Sequence, residues 1–334
     1  MEDKFNDLIE RAKKFNKKTI CFPEGEEKRV ASAVEMLVKN NSCKVVLLGN
    51  KNKIENLLSK QVVEKVSIID PLKETDEQKD LADKLYELRK EKGLTQEKAN
   101  ELIKQPMYYA CMLLKLDIVD GVVAGCVLHS ADVMRPAFQI IKQRKDILKA
   151  SSCFIMEMPD NSEFGENGFM IFSDCAVNPY PTADELAGIA LASRDSAKKL
   201  CNIKPRIAML SYSTASEKTD DENILKIKKA VEMFKALDNK TIIEGEIQAD
   251  AAIIPEVAKR KSPNGILKGR ANVLIFPDIN AGNIAYKLVQ HITGKRAVGP
   301  IIQGLNKPVN DLSRGATAEE IYLTTIITLL QTAK

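Results

Sequence analysis

The first half of the chain alternates short apolar runs with segments of helical period. Residues 19–23 predict a strand, and apolar side chains on one face predict a helix over 26–39. Further strands are predicted at 44–48, 66–69 and 118–124, with helices over the charged stretch 73–104 and over 131–142. Because parallel strands need a crossover connection, usually a helix, this alternation predicts an α/β fold with a parallel sheet.

The pattern starts again after Lys149. Apolar runs at 153–158 and 169–172 predict the first strands of a second sheet. Thr182 stands three residues before Glu185, the spacing of a capping box, and this predicts a long helix that reaches Cys201. The remaining predicted elements are strands at 206–210 and 271–276 and helices at 221–237, 249–258, 280–292 and 317–331. The sequence thus predicts two α/β domains that meet near residue 150.

Composition narrows the class of protein. A length of 334 residues is typical of about two domains, and a formal net charge of +4 is too small for a surface that binds nucleic acid throughout. Tryptophan is absent, so stacking platforms for single-stranded nucleic acid are not expected. Residues 1–4 begin a charged helical pattern, and no run of 18 apolar residues follows. We therefore expect neither secretion nor a membrane span.

The cysteines and histidines predict structural thiols. Seven cysteines are scattered through mostly apolar runs without a C-x-x-C pair, and the chain has two histidines. This predicts a reducing cytosolic location rather than a disulfide framework or a zinc site. Cys126 and His129 are three residues apart and could form a thiolate pair, but their position at the end of an apolar strand favours buried, structural side chains.

The common nucleotide-binding and hydrolase motifs are absent. The sequence has no G-x-G-x-x-G, no G-x-x-x-x-G-K-[ST], no G-x-S-x-G and no H-E-x-x-H. Polar clusters instead follow predicted strands, where open α/β sheets bind ligands; they span 125–135, 211–216, 277–283 and 304–315. The hydroxyl-rich cluster at 211–216 is suited to cradling phosphate oxygens, and the alternative is a Ser/Thr-rich turn that caps a helix.

Several stretches in and around these clusters have distinctive residue patterns. They include Phe22-Pro23-Glu24-Gly25, Ser130-Ala131-Asp132, Met209-Leu210-Ser211-Tyr212-Ser213-Thr214, and, most specifically, Gly304-Leu305-Asn306-Lys307-Pro308-Val309-Asn310-Asp311-Leu312-Ser313-Arg314-Gly315. Together they resemble the phosphate acetyltransferase family over essentially the whole chain. The resemblance implies two α/β domains with an interdomain cleft, similar in architecture to isocitrate and isopropylmalate dehydrogenases. The implied first domain comprises 1–148 and 300–334, and the second comprises 149–299.

The resemblance also implies an activity, the reversible transfer of an acetyl group between CoA and inorganic phosphate by direct thiolate attack in a ternary complex. It assigns Ser313 to the acetyl carbonyl, Arg314 to the phosphate or developing oxyanion, and Glu320 to the thiol proton as general base. A family member carries Asp at the position of Glu320, and Glu319 is a neighbouring alternative. Thr317 and Glu320 also have capping-box spacing, so a base and a helix cap are alternative roles for one carboxylate.

The same resemblance implies a set of substrate-binding residues: Arg135, Arg89, Ser130, Ser211, Tyr212, Ser213, Thr214, Asn280, Asn283 and Lys287. For Arg89 the alternative is a solvated or ion-paired side chain, and for Lys287 it is the polar face of an amphipathic helix, where His291 replaces a family arginine. CoA and acetyl-CoA are implied as substrates, with no permanently bound cofactor and no metal. The implied partners are small-molecule substrates without nucleic acid or membrane, a second copy in a homodimer, and acetate kinase through metabolic coupling.

Three other functions are alternatives at this stage. A phosphate butyryltransferase would share the fold and have a longer acyl pocket, although Ser313-Arg314-Gly315 and the 211–214 loop are closer to the acetyl enzymes. A catalytically silent acetyl-CoA-sensing module is disfavoured by the presence of Ser313, Arg314 and Glu320. A decarboxylating dehydrogenase of related fold would need an Asp cluster for a metal and a nicotinamide loop, and we identify neither in the sequence.

Overall fold

The computed structural model describes residues 4–145, 147–216 and 219–333, which divide into two compact units. The first unit comprises residues 5–142 and 305–333, and the second comprises Lys4 and 143–304. The chain passes between the units after residues 4, 142 and 304, whereas the predicted boundaries were at 148–149 and 299–300. Residues up to 304 belong to the second unit because strand 297–303 pairs with strand 151–157 there. Residues 1–3 of the predicted N-terminal helical pattern lie outside the described part.

The first unit is a sheet flanked by helices. Its strands are β1 (Thr19–Phe22), β2 (Lys44–Leu48), β3 (Val66–Ile69), β4 (Gly121–Ala124) and β11 (Val309–Asp311). Its helices are α1 (Asn6–Ala12), α2 (Lys28–Lys39), α3 (Lys51–Glu55), α4 (Lys60–Val63), α5 (Asp76–Arg89), α6 (Gln96–Leu102), α7 (Pro106–Lys115), α8 (Ser130–Pro136) and α14 (Ala318–Gln331). Short helical turns follow α1 and α5, and a π-helical turn, Ala137–Ile141, follows α8.

The strands of this sheet run parallel, in the order β11-β4-β1-β2-β3, which confirms the predicted parallel α/β arrangement. From β1 the chain continues to β2 and β3 on one side, and β4 and β11 lie on the other side. Strand order therefore reverses between β1 and β4. In open α/β sheets ligands bind outside the carboxyl ends of the strands at such a switch point.

The second unit contains a mixed sheet in the order β10-β5-β6-β9-β7-β8. Its strands are β5 (Ser151–Glu157), β6 (Phe169–Ser173), β7 (Arg206–Leu210), β8 (Ile242–Ile247), β9 (Val273–Ile275) and β10 (Ala297–Gln303), and its helices are α9 (Ala183–Lys199), α10 (Glu222–Leu237), α11 (Ala249–Ile253), α12 (Pro255–Lys261) and α13 (Ile279–Thr293). Pairings of β5 with β6 and β10 are antiparallel. One core cluster contains stacked Phe154 and Tyr286, whose ring centroids are 3.8 Å apart.

Several predicted elements differ from those observed, for local reasons. The helix predicted at 249–258 is two helices, because Pro255 lacks an N–H and favours extended backbone at Ile254, whose φ is −113°. The stretch 73–104 is also divided, with Gly93 in the left-handed conformation at φ +81°. The helix predicted at 131–142 becomes α8 and a π-helical turn. Helix α7 and strands β8, β10 and β11 were not predicted from periodicity.

Burial agrees with the prediction for the thiols, since all seven cysteines are buried. Burial also raises the pKa of the Cys21 and Cys111 thiols, because it disfavours the thiolate. Within the described ranges, no helix combines the length and the apolar character needed to cross a membrane.

The capping box at the start of α9 is formed as predicted, with Thr182 N–H donating to Glu185 Oε2 at 3.0 Å. We expect Thr182→Ala to lower the free energy of unfolding by about 1 kcal/mol, because the Glu185 backbone N–H loses its acceptor. Urea unfolding monitored by circular dichroism measures the difference. Ser32→Ala is the control, because Ser32 Oγ donates only to the Lys28 carbonyl of its own helix. This substitution should lower the free energy of unfolding by less than about 0.5 kcal/mol. Equal midpoints for Thr182→Ala and wild type would contradict the expectation.

Candidate active site

In the first unit, the loops that follow β1, β4 and β11 lie at the carboxyl edge of the sheet, where parallel neighbours end together. The Glu24 carboxylate joins two of them. Its Oε2 accepts from the backbone N–H of Gly125 at 2.8 Å and of Cys126 at 3.0 Å, and its Oε1 accepts from Val127 at 2.8 Å and Leu128 at 2.7 Å. Four successive amides of the β4 loop are thereby satisfied by one side chain.

This arrangement makes the predicted thiolate alternative for Cys126 and His129 wrong. Cys126 is 2% exposed, and its Sγ donates to Glu24 Oε2 at 3.0 Å. Burial, reinforced by the nearby Glu24 carboxylate, raises the pKa of the Cys126 thiol far above its ordinary value. His129 is exposed and precedes α8 as its N-cap residue. Cys126 is therefore a buried structural thiol, as predicted, whereas the prediction of a buried side chain is wrong for His129, which lies beyond the end of the strand at the start of α8.

Asp311, at the end of β11, joins the third loop to the β4 loop. It is 2% exposed, and its Oδ1 has no hydrogen-bond partner among the described residues. Burial raises the pKa of Asp311 to about 6, and the nearby Glu24 carboxylate acts in the same direction. The Ser130 hydroxyl and the Leu312 backbone N–H lie near the carboxylate and act to lower its pKa. Ser130 thus lies near a buried acid that stands two residues before Ser313.

The Ser313-Arg314-Gly315 segment is an exposed turn. Ser313 Oγ accepts from the Gly315 backbone N–H at 3.3 Å, and the Ser313 carbonyl accepts from the Ala316 N–H at 2.9 Å. Because Ser313 Oγ is an acceptor within its own turn, its hydroxyl proton is available for a donor role. The Arg314 backbone carbonyl is fixed by a second arginine, Arg29, at 2.8 Å.

Glu320 forms the predicted capping box at the start of α14. Its Oε2 accepts from the Thr317 backbone N–H at 2.8 Å, and Thr317 Oγ1 accepts from the Glu320 N–H at 3.2 Å. The helix cap is therefore formed, and Glu320 can act as a general base only while it also caps α14. Glu319 is exposed in the same first turn.

The two predicted arginines of this unit lie around Tyr108. Arg135 is exposed and 3.8 Å from Asp132, and Arg89 donates to the Gln139 carbonyl at 3.1 Å. Burial raises the pKa of Tyr108, and the positive charges of Arg135 and Arg89 oppose that shift, which puts both guanidinium groups near one phenol. Arg89 is half-buried.

A cavity of about 690 Å³ opens at the same edge of the first unit. Its lining is mostly apolar, with Leu48, Met107 and Val127, and its polar side chains include the carboxylates of Glu26 and Asp132. Ligand pockets usually have this size and this mostly apolar character.

In the second unit, the 211–214 hydroxyls bond largely within the protein. Ser211 Oγ accepts from the Ser213 N–H at 3.3 Å, and Thr214 Oγ1 accepts from the Gln248 N–H at 2.9 Å. Exposed Tyr212 donates to Asp221, the N-cap residue of α10. The loop is thus a hydrogen-bonded Ser/Thr turn, and α10 is capped by Asp221 rather than by the loop itself.

The remaining predicted residues lie on α13 of the second unit. Asn280 and Lys287 are exposed, and the Lys287 ammonium lies 5.3 Å from the centroid of the Tyr286 ring. Asn283 Nδ2 donates to the Cys175 carbonyl at 3.0 Å, so its amide supports the fold locally. Across the described residues, no group of three or more His, Cys, Asp or Glu side chains is arranged to hold a metal ion.

The contacts bring together the predicted residues Ser130, Ser313 and Arg314, through loops joined at the first unit's carboxyl edge. They also show three residues that had no predicted role: Glu24, Arg29 and Asp311. Glu24 and Asp311 could have been identified as candidates, because each is an acidic residue at the end of a predicted or observed strand. Arg29 had none, since an arginine in the first turn of an amphipathic helix is common.

Comparison with known proteins identifies the class: the chain is an acyltransferase. More specifically, it belongs to the family described as phosphate acetyl/butaryl transferase, whose model matches residues 4–329. It is 49% identical over 314 residues to the phosphate acetyltransferase of Thermoanaerobacterium thermosaccharolyticum, covering 94% of each chain. With that of Clostridium acetobutylicum it shares 45% identity over 331 residues, covering 97% of this chain and 98% of the relative.

Solved structures agree with this assignment. A phosphotransacetylase from Streptococcus pyogenes superposes with a TM-score of 0.90 at 38% identity, covering 99% of each chain. A 4-hydroxythreonine-4-phosphate dehydrogenase structure from Salmonella typhimurium, at 14% identity and a TM-score of 0.54 over 94% of this chain and 99% of its own, shares the fold alone. The dehydrogenase-like α/β architecture that the resemblance implied is therefore confirmed.

The raised pKa of Asp311 predicts a pH-dependent stability. Folding raises this pKa from 3.8 to about 6, so the folded state favours the protonated acid. The stabilisation is complete below about pH 4 and is lost as the pH rises through about 6. We expect the free energy of unfolding of wild type to fall by up to about 3 kcal/mol relative to that of Asp311→Asn between pH 4 and pH 7, since one pKa unit corresponds to about 1.4 kcal/mol.

Urea unfolding of both proteins at a series of pH values measures this difference. Asp220→Asn, at an exposed position of the second unit, is the control and should follow wild type at every pH. A wild-type-minus-Asp311→Asn difference that does not change with pH would contradict the assignment.

Proposed function

We propose that this acyltransferase moves an acetyl group reversibly between CoA and inorganic phosphate, converting acetyl-CoA and phosphate into acetyl phosphate and CoA. The observation that carries the proposal is an exposed Ser313–Arg314 turn held at the first unit's carboxyl edge, in a chain whose nearly full-length relatives are phosphate acetyltransferases. In the direction of thioester synthesis, the CoA sulfur attacks the carbonyl carbon of acetyl phosphate. The carbon–oxygen bond to phosphate then breaks, and phosphate leaves.

A general base is useful because a thiol with a pKa of about 8.5 is only a few per cent ionised at pH 7. We assign Glu320 to this step. Its carboxylate caps α14 through Oε2, and a carboxylate has further lone pairs that can accept a thiol proton. The proton is finally carried by the departing phosphate, so the reaction balances without a cofactor.

Ser313 and Arg314 stabilise the transition state. The Ser313 hydroxyl, which accepts from the Gly315 N–H, donates a hydrogen bond to the acetyl carbonyl oxygen as negative charge develops there. The exposed Arg314 guanidinium binds two phosphate oxygens at once, which matches the geometry of its planar fork.

Substrate binding is proposed for the remaining residues. Arg135, Arg89 and Ser130 would contact anionic groups in the first unit, and Ser211, Tyr212, Ser213, Thr214, Asn280, Asn283 and Lys287 would contact CoA in the second. The apolar cavity suits the uncharged pantetheine part of CoA, because carboxylates in its lining, such as Glu26 and Asp132, would repel phosphate groups. These assignments rest on the resemblance together with the exposure of Arg135, Asn280 and Lys287.

The alternatives are weaker but distinct. A phosphate butyryltransferase belongs to the same family, yet a branched-chain phosphotransacylase from Enterococcus faecalis is only 19% identical to this chain, at a TM-score of 0.68. The relatives at 45–49% identity are phosphate acetyltransferases. A silent acetyl-CoA sensor would not need Ser313, Arg314 and Glu320 in their present arrangement.

We also propose a homodimer in the cytoplasm that is coupled metabolically to acetate kinase. An apolar stripe on α13 supports self-association: Ile284, Leu288 and Ile292 are spaced by one turn and are 58%, 55% and 79% exposed. The buried cysteines are compatible with a reducing compartment. Acetate kinase is proposed because acetyl phosphate needs a reaction that supplies or consumes it.

We expect Arg314→Ala to reduce kcat for CoA-dependent phosphate release from acetyl phosphate by about 100-fold or more, because the phosphate and oxyanion lose a preorganised cation. The rate is measured from the absorbance of the thioester that forms. Arg260→Ala removes another exposed arginine, whose Nε donates to the backbone carbonyl of Glu256 in its own helix, and it should leave kcat unchanged.

The same assay separates the alternative functions. Faster turnover of butyryl phosphate than of acetyl phosphate would replace the acetyl assignment with a butyryl one. CoA binding without turnover of either acyl phosphate would overturn the transferase and support a sensor. Wild-type kcat in Arg314→Ala would remove that residue from the mechanism.

A second set of variants separates the base and cap roles of Glu320. Glutamine at this position keeps a capping box but cannot accept the thiol proton. We therefore expect Glu320→Gln to lose kcat by about 100-fold or more with an unchanged unfolding midpoint, whereas Thr317→Ala should lose about 1 kcal/mol of stability. Glu319→Gln is the matched control. Full activity in Glu320→Gln would reduce Glu320 to a helix cap, and a loss confined to Glu319→Gln would move the base there.

A further inference from the structure

Arg29 lies in the first turn of α2, next to the loop that follows β1. The Glu27 carboxylate, at the N-cap of that helix, accepts from Arg29 Nε at 2.8 Å and fixes one edge of the guanidinium. The Arg29 side chain is 33% exposed. Its other donors point away from Glu27, toward the β4 and β11 loops.

These donors connect the catalytic turn to the β4 loop. Arg29 Nη1 donates to the Arg314 carbonyl at 2.8 Å and to the Ala316 carbonyl at 2.9 Å, so it bonds the backbone on both sides of Gly315. Nη2 donates to the Cys126 carbonyl at 2.9 Å. One guanidinium thus ties the turn to the loop that Glu24 holds through its amides.

Side-chain packing around Gly315 contributes little to fixing the position of this turn. A side chain built at Gly315 would meet only Ser313 Oγ, at 3.9 Å, so the space around it is open. Within the turn, Ser313 accepts from the N–H groups of Gly315 and Ala316. Ala316 at the end of the turn is buried, and the Arg29 hydrogen bonds add directional long-range contacts that orient the turn relative to the sheet.

We infer that Arg29 is a positioning residue for acetyl transfer, acting through the backbone of the 313–316 turn to orient the Ser313 hydroxyl and the Arg314 guanidinium. This inference rests on the proposed function. Arg29 acts only through the turn and contacts no reacting atom. A planar fork is required, because the Nη1 and Nη2 donors reach three carbonyls while Nε is held by a carboxylate, and a lysine ammonium cannot match that geometry.

The test is Arg29→Lys, which keeps the charge and removes the fork. We expect kcat to fall about 10- to 100-fold, while KM for CoA and for acetyl phosphate changes less than about threefold, because misplacing catalytic groups costs rate more than ground-state binding. Lys28→Met, at the exposed neighbouring position, is the control and should behave as wild type.

A double-mutant cycle with Arg314→Ala distinguishes positioning from general destabilisation. If Arg29 acts through the turn, Arg29→Lys should lower kcat by a smaller factor in the Arg314→Ala background than in wild type, because only the Ser313 contribution is left to lose. Equal fold losses in both backgrounds, or wild-type kcat in Arg29→Lys, would overturn the inference while wild type stays active. An inactive wild type would instead overturn the proposed function and with it the catalytic part of the inference.

Hydrogen exchange gives a readout that needs no activity. In folded Arg29→Lys, amides in the peptide covering 313–317 should exchange about tenfold faster or more, while those of β7 in the second unit stay unchanged. Unchanged exchange at 313–317 would show that Arg29 does not hold the turn. Arg29→Gln, which keeps two N–H donors but loses the charge, is the second variant, and it should show the same exchange pattern.

Discussion

The carboxylate of Glu24 is the constraint on which the candidate active site depends. It satisfies four successive backbone N–H groups of the 125–128 loop, which would otherwise need water or other acceptors. A charged acceptor makes such bonds short and strong. Because this loop is fixed to the segment after β1, the loop carbonyls and the following helix α8 are fixed in position as well. The Cys126 carbonyl in this loop accepts from Arg29, and Ser130 at the start of α8 lies near Asp311.

Charge is arranged in two layers at this edge. Glu24 and Asp311 lie beneath the loops, where backbone amides, the Ser130 hydroxyl and a raised Asp311 pKa limit the cost of placing two acids close together. Arg314 and Arg135 are exposed above them. Two guanidinium groups are therefore exposed at an edge whose supporting side chains are anionic. Fixed dipoles and charges of this kind need little reorganisation when charge develops in a transition state.

The sequence predicted those features that local rules control. Capping boxes at Thr182 and Thr317 follow from spacing alone, and both form. Strand β11 has only three residues, too few for a period, so it was not predicted, and only the resemblance implied that the segment from residue 300 belongs with the first domain. The roles of Glu24 and Arg29 depend on partners about 100 and 290 residues away, a separation no local pattern reports.

Two glycines show how rigid and open backbone are combined at one edge. Gly125 has a φ of +112°, and a side chain there would lie 2.1 Å from Asp311 Oδ1, so the β4 loop can approach β11 only without a Cβ. Gly315 is free of such crowding, and its lack of a side chain leaves room above the turn for a substrate to reach the backbone. Close approach at Gly125 therefore adds to the Glu24 hydrogen bonds that hold the 125–128 loop, whereas the 313–316 turn is open at Gly315 and is bonded through its carbonyls to Arg29. A turn held by directional bonds keeps its orientation without covering the groups that react, which is what an acyl-transfer site that admits both CoA and a small phosphate substrate requires.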